Sequence, residues 1–300
     1  MVSVRVALAQ IAPRLGAVDD NLARHHELIA SARSEAADLI VFPELGLTGY
    51  LLQDLNAEVA MRLDDPRLLE LARASDGLSA VVSFVEESDD HRLFIAAALL
   101  EDGAIRHVHR KVFLPTYGLF DERRFFAAGS VLRATSSRLG VRLGICVCED
   151  FWHLSTAHLL ALDGAGVLIN VSCSPGRDLA AVNEEGLGTA VSWRTINRAY
   201  AQLTTSYVIF VNRVGVDESV TFWGGSEVVG PSGATVFGAP LYDDGLYLAE
   251  LDLAQLRRER IAVPLLRDER PEVIARQLDR IVRARAGEDP LGDDEAEPGT

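Results

Sequence analysis

Short apolar runs alternate with amphipathic stretches along almost the whole chain, and that alternation restricts the fold more than any other feature of the sequence. Residues 2–10 read as a strand, 21–37 as a helix and 39–42 as a second strand. Further strands are expected over 79–85, 93–100, 105–109, 141–147, 167–171, 207–212, 227–229 and 246–251. Helices are expected over 66–74, 155–165, 178–203 and 253–260. The chain is therefore of the α/β class. These strands overfill one open sheet, and Gly103 between two adjacent runs marks a hairpin, so two mixed sheets packed face to face with helices outside accommodate them better.

Beyond residue 260 the pattern changes. Residues 271–286 read as a charged helix on which Val273, Ile274, Leu278, Ile281 and Val282 form an apolar stripe, which must cover the body or a partner subunit. From Gly287 onward there are six acidic residues and no basic ones, a composition that predicts a disordered tail. The expected division is a body over 1–260, an extension over 261–286 and an acidic tail over 287–300.

At 300 residues and 48% hydrophobic, the body can bury a single large core. The formal charge of -15 disfavours nucleic acid and anionic membranes, which are gripped by clustered Lys and Arg, and points to small-molecule ligands. No apolar run approaches the roughly 18 residues of a membrane span, and the N-terminus is strand-like without a charged leader, so a cytoplasmic location is expected. Three cysteines are too few for a disulfide framework. Cys146, Cys148 and Cys173 lack the paired spacing of a zinc site, so neither a metal nor any other cofactor is expected. Cys146 and Cys173 read as small buried hydrophobes.

Three segments each place a chemically useful side chain where a strand ends and Gly or Pro begins, the position at which sites collect in α/β folds. In VFPELGLTGY, Pro43 stops the strand and presents Glu44. In HRKVFLPTYGLFDERRFF, Lys111 follows a strand and precedes Tyr117 and the pair Asp121 and Glu122. In LGICVCEDFWHL, Cys148 closes an apolar strand and Glu149, Asp150 and Trp152 lead into a helix. Singly each is weak evidence. Together they supply acyl transfer: a thiol to become a thiolate, a carboxylate to take and return a proton, and a fixed cation near a developing oxyanion. A helix N-terminus would favour the thiolate, and the Glu149 N–H is the natural second oxyanion donor.

FPELGLTGY, KVFLPTYGLFDERRFF and CEDFW, in this order and spacing, resemble the three signature segments of the nitrilase, or carbon–nitrogen hydrolase, superfamily. The resemblance runs from residue 2 to about Arg260 and includes VIFVNRVG and GGSEVVGPSG, which look like late strands of that family. It implies a four-layer α-β-β-α sandwich, a Glu44–Lys111–Cys148 triad, and a second glutamate at Glu122 that helps to position Lys111 and the substrate amide. It also implies a homodimer or higher homo-oligomer. Cys-Glu-Asp followed by an aromatic residue and Trp, with LPTYGLFDERRFF, is most similar to the glutamine amidohydrolase domain of glutamine-dependent NAD synthetases. No Ser-Gly-Gly-x-Asp-Ser loop of an attached synthetase is present. Ser174 and Pro175 match that branch, but Gly176 stands at its aromatic position, and only Arg177 could answer for its basic one.

The expected activity is hydrolysis of a small amide to carboxylate and ammonia through a cysteine thioester. Glutamine, another ω-amide or an N-carbamoyl compound each suits it. A glutaminase subunit serving a separate NAD synthetase, and a catalytically silent binding protein on the same fold, are the alternatives. Tyr50, Tyr117, Trp152 and Ser174, each close after a catalytic segment, are expected to line the substrate pocket. Trp193 and Arg194 read as packing and surface residues, and His153 as a local hydrogen-bonding group.

Overall fold

The computed structural model describes residues 3–176, 187–217 and 219–288. Arg177, the first part of the helix expected over 178–203 and nearly all of the acidic tail lie outside the described residues. The strands are β1 (Ser3–Gln10), β2 (Leu39–Val41), β3 (Ser79–Glu87), β4 (Leu93–Glu101), β5 (Ala104–Arg110), β6 (Leu143–Val147) and β7 (Val167–Ser172). They continue with β8 (Tyr207–Asn212), β9 (Val214–Asp217), β10 (Val220–Trp223), β11 (Glu227–Val229), β12 (Thr235–Gly238) and β13 (Gly245–Asp252).

One sheet has the order β13-β1-β2-β3-β4-β5, with β2 parallel to both neighbours and every other pair antiparallel. The other has the order β12-β11-β8-β7-β6, parallel through β6, β7 and β8 and antiparallel beyond. Both sheets are mixed. They meet face to face, β1 against β8 and β4 against β6, and aliphatic side chains such as Leu8, Val81, Leu99, Ile145 and Ile169 fill the space between them. Helices Val18–Ser34 and Pro66–Ala74 pack together outside the first sheet, while Leu154–Leu162 and Gly188–Leu203 cover the second. The layers therefore run α-β-β-α.

The β4–β5 hairpin turns on Asp102 and Gly103, both at positive φ (50° and 69°), the two-residue geometry whose twist matches that of the strands. The first helix starts at Val18 rather than residue 21, because Asn21 bonds to the Arg14 and Leu47 backbone instead of capping, and Asp19 and Asp20 occupy the first turn. The ribbon β9–β10 and strand β12, four residues each, are additional to the expected strands, and the mostly exposed β12 carries no apolar alternation. Helix Pro271–Ala286 forms as expected, but none of its residues is buried, and Leu278, Ile281 and Val282 are exposed. No helix among the described residues is long and apolar enough to cross a membrane.

Candidate active site

Glu44, Lys111 and Cys148 come from three strand ends in two sheets. β2 runs into Phe42, whose N–H still bonds to the Val81 carbonyl, and Pro43 then ends the pairing. The turn is held by Ser83 Oγ, which accepts from the Leu45 N–H at 2.9 Å, and the Glu44 side chain is buried inside it. Lys111 follows β5. Its N–H donates to the Ile95 carbonyl at 2.8 Å, and its side chain enters the interior, where Nζ donates to Glu44 Oε1 (2.8 Å) and Glu122 Oε1 (2.7 Å).

The second sheet supplies the thiol. β6 ends at Val147, and Cys148 opens a five-residue 3-10 turn with φ at +42°, a left-handed conformation that a non-glycine residue adopts only under constraint. Glu44 Oε2 accepts the N–H of Cys173, just beyond β7, at 2.9 Å. A single carboxylate thus bridges the lysine and the end of β7.

Charge and burial set the protonation of these groups. Burial lowers the proton affinity of Lys111, but the adjacent Glu122 and Glu44 outweigh it, so the ammonium stays charged far above neutral pH. Burial, reinforced by Glu44 and opposed by Lys111 and the Cys173 N–H, pushes the Cys148 thiol well above its ordinary value. Burial therefore outweighs the stabilisation that a helix N-terminus was expected to give the thiolate. The turn is too short for an appreciable dipole, and desolvation dominates. The thiol needs a neighbouring base, and the Glu44 carboxylate stands in its electrostatic field.

Glu122 begins the short helix Glu122–Phe125 and also accepts the Tyr50 hydroxyl at 2.6 Å, while its Oε2 is buried without a partner among the described residues. Burial raises its carboxyl from 4.5 to about 7 against the pull of Lys111, with Glu44 adding to the rise. Between those two values the folded state holds a proton that the unfolded state has released, so this group's contribution to stability falls as pH rises. Glu122→Gln, which cannot ionise, is accordingly expected to gain in Tm relative to the native protein as pH rises from 5 to 8. Parallel Tm curves for the two proteins would contradict it.

Above Cys148 lies a cavity of about 440 Å³ whose lining includes Tyr117, Glu149, Trp152, Ser174 and Trp193. The Tyr117 hydroxyl lies 2.9 and 3.1 Å from the two Glu149 carboxylate oxygens and donates to one of them. Ser174 Oγ accepts the Trp193 indole N–H at 2.8 Å, and Trp193 packs edge-on against Trp152, which is 44% exposed at the rim. Burial pushes the Glu149 carboxyl up, partly offset by the Tyr117 hydrogen bond. Tyr50 does not line this cavity; with Glu122 it borders a smaller one of about 230 Å³.

The structure thus brings Glu44, Lys111, Glu122 and Cys148 together and sets Tyr117, Glu149, Trp152 and Ser174 around the thiol. His153 stacks on Phe113 with ring centroids 3.6 Å apart. Sequence reasoning missed Trp193 as a lining residue, the Cys173 N–H and the buried pair Asp150–His109; an Asp two positions after a strand-end cysteine was the available signal. Among the described residues no group of His, Cys, Asp or Glu is arranged to hold a metal ion.

Residues 5–260 match the family model described as Carbon-nitrogen hydrolase. The glutamine-dependent NAD(+) synthetase of Acinetobacter baylyi is 29% identical over 264 residues, covering 87% of this chain and 46% of the relative. That of Thermotoga maritima is 31% identical over 270 residues, covering 88% and 45%. The chain spans about half the length of these curated relatives. Among solved structures, a carbon-nitrogen hydrolase from Helicobacter pylori G27 superposes with a TM-score of 0.80 at 26% identity, over 93% of this chain and 99% of that one. A mutant amidase from Nesterenkonia sp. AN1, with the acetamide moiety of fluoroacetamide added covalently at its active site cysteine, superposes with a TM-score of 0.75 at 25% identity, over 91% and 96%.

Proposed function

This chain belongs to the carbon–nitrogen hydrolase family, and we propose that it is a cysteine-dependent amidase that cuts a small primary amide to carboxylate and ammonia. The observation that carries this reading is the buried Glu44–Lys111–Glu122 ion set beside a protonated thiol at the floor of a cavity. The Glu44 carboxylate takes the Cys148 proton as sulfur forms its bond to the amide carbonyl carbon. The carbonyl oxygen gains charge, which the Lys111 ammonium and the Glu149 N–H stabilise. The C–N bond then breaks and the nitrogen leaves as ammonia with the proton from Glu44. Water, deprotonated by Glu44, attacks the thioester, and the sulfur recovers the proton as the acid departs.

The cavity also carries information about the substrate's far end. The Glu149 carboxylate, held by Tyr117, is an acceptor for an ammonium group, which fits an amino-acid ω-amide such as glutamine better than a plain aliphatic amide. The NAD synthetase relatives, named for their use of glutamine, support the same choice. Ammonia release measured over glutamine, asparagine, aliphatic amides and carbamoyl compounds tests the proposal, and release from none of them would end it. Within that series Glu149→Gln should reduce kcat/KM on the ammonium-bearing amide roughly 10-fold or more beyond any loss on an uncharged one, the scale of a charged hydrogen bond. Equal losses on both would remove Glu149 from recognition.

A second reading, a glutaminase subunit that supplies ammonia to a separate synthetase, draws on the likeness to the glutamine-dependent NAD synthetases. Glutaminase activity that rises on mixing with a purified synthetase would distinguish it.

A further inference from the structure

Lys111 belongs to one sheet and Cys148 to the other, so their separation is fixed by whatever ties the two strand ends together. The Asp150 carboxylate, fully buried, occupies that place. Its Oδ1 accepts the N–H groups of Val112 (2.9 Å) and Phe113 (3.0 Å), the two peptides that follow Lys111. Its Oδ2 accepts the N–H of Val147 (3.0 Å), which precedes Cys148, and Nε2 of His109 (2.7 Å), which shares a strand face with Lys111. Four donors match the roughly four lone-pair sites of a carboxylate. Burial alone would raise the Asp150 carboxyl, but the His109 hydrogen bond and the backbone N–H groups outweigh it and hold it below its ordinary value.

We propose that Asp150 is a positioning residue, which with His109 locks the Lys111 segment against the Cys148 turn and so sets where the ammonium stands relative to the sulfur. The bond to the Val147 N–H also closes the turn in which Cys148 is held at φ +42°. Neither Asp150 nor His109 lines the cavity above the thiol, so the pair acts through the residues it holds. This inference rests on the reading of Cys148 and Lys111 as nucleophile and oxyanion partner.

Asp150→Asn tests it with the least change of shape. Whichever way the amide is turned, its NH₂ group meets donors, on the Lys111 side or on the Cys148 side, and one half of the lock opens. A misplacement of about 1 Å is expected to lower kcat roughly 10²-fold while KM stays within about threefold, because the cavity wall is untouched. Alkylation of Cys148 by iodoacetamide should slow as well. His109→Leu removes one donor and should give the same signature more weakly, whereas His109→Gln retains an N–H and should restore most of the rate. Wild-type kcat and alkylation in Asp150→Asn, even with a lowered Tm, would reduce the residue to a structural role and overturn the proposal, as would a rise in KM alone. If Asp150→Asn fails to fold, the His109 pair decides: a loss in Leu that Gln recovers supports positioning, and equal rates in both overturn it. A wild-type protein that releases ammonia from no amide would end the amidase reading, and the alkylation rates would still decide the positioning.

Discussion

Replacing Cys148 by alanine is expected to abolish amide hydrolysis, a loss of roughly 10⁴-fold or more on the scale of nucleophile deletions, in a protein that remains folded. Cys148 is 7% exposed and lines the cavity, so removal of its one sulfur leaves only a small void. Alanine carries a Cβ as cysteine does, and the positive φ at this position is no more strained in the variant than in the native chain. Cys146, two residues upstream, supplies the control. It is fully buried and paired in register with Asn170. Cys146→Ala should lose some stability and keep substantial activity. Ammonia release and Tm, measured together on the two variants, decide the assignment: near wild-type turnover in Cys148→Ala, or an inactive Cys146→Ala, would transfer the role or end it.

Much of this arrangement was legible because strand ends carry strong local signals. Leu39–Val41, Ala104–Arg110 and Leu143–Val147 are apolar or alternating runs broken by Pro43 or followed by a charged or thiol side chain, so the elements and the residues they present could be read together. What escaped notice depends on pairing between distant segments. Asp150 is an ordinary acidic residue in sequence, and its four donors come from positions 109, 112, 113 and 147. The strength with which burial holds the Cys148 proton was hidden for a related reason. A cysteine before a helix pattern suggests a stabilised thiolate, but the opposing desolvation arises only when two sheets close over the residue. Tyr50, placed near the substrate by its position after Glu44, instead donates to Glu122, an assignment fixed by a contact across 72 residues. The apolar stripe of helix Pro271–Ala286 is periodic, yet periodicity does not state what covers it, and the described body leaves Leu278, Ile281 and Val282 exposed.

The ion set predicts the second large effect, and it separates two roles that a simple loss of activity would confuse. Glu44→Gln keeps the side chain's shape but removes the proton acceptor, and its amide must also satisfy a donor on each side, Lys111 Nζ and the Cys173 N–H. A loss at or above the roughly 10²–10⁴-fold typical of general acid–base groups follows, with Lys111 still charged against Glu122. Lys111→Met removes the cation from between two buried carboxylates. Glu44 and Glu122 then repel each other where desolvation has already raised Glu122 to about 7, and the pair will tend to hold a proton between them. Activity should fall at least as far as in Glu44→Gln, since the oxyanion loses its partner and the shared proton occupies the base. The stability of this variant should depend on pH with a definite sign. Carboxyls whose folded proton affinity is raised contribute most at low pH, so Lys111→Met should be closest to wild-type Tm near pH 5 and lose stability as pH rises through 7 and beyond. Lowering the pH would thereby rescue the fold but not the rate, because the protonated pair still lacks both base and cation. Thermal melts and ammonia-release rates across pH 5 to 9 check both halves. A Lys111→Met protein with near wild-type turnover, or one whose Tm deficit shrinks as pH rises, would show that the lysine does not hold the two carboxylates in their working charge state.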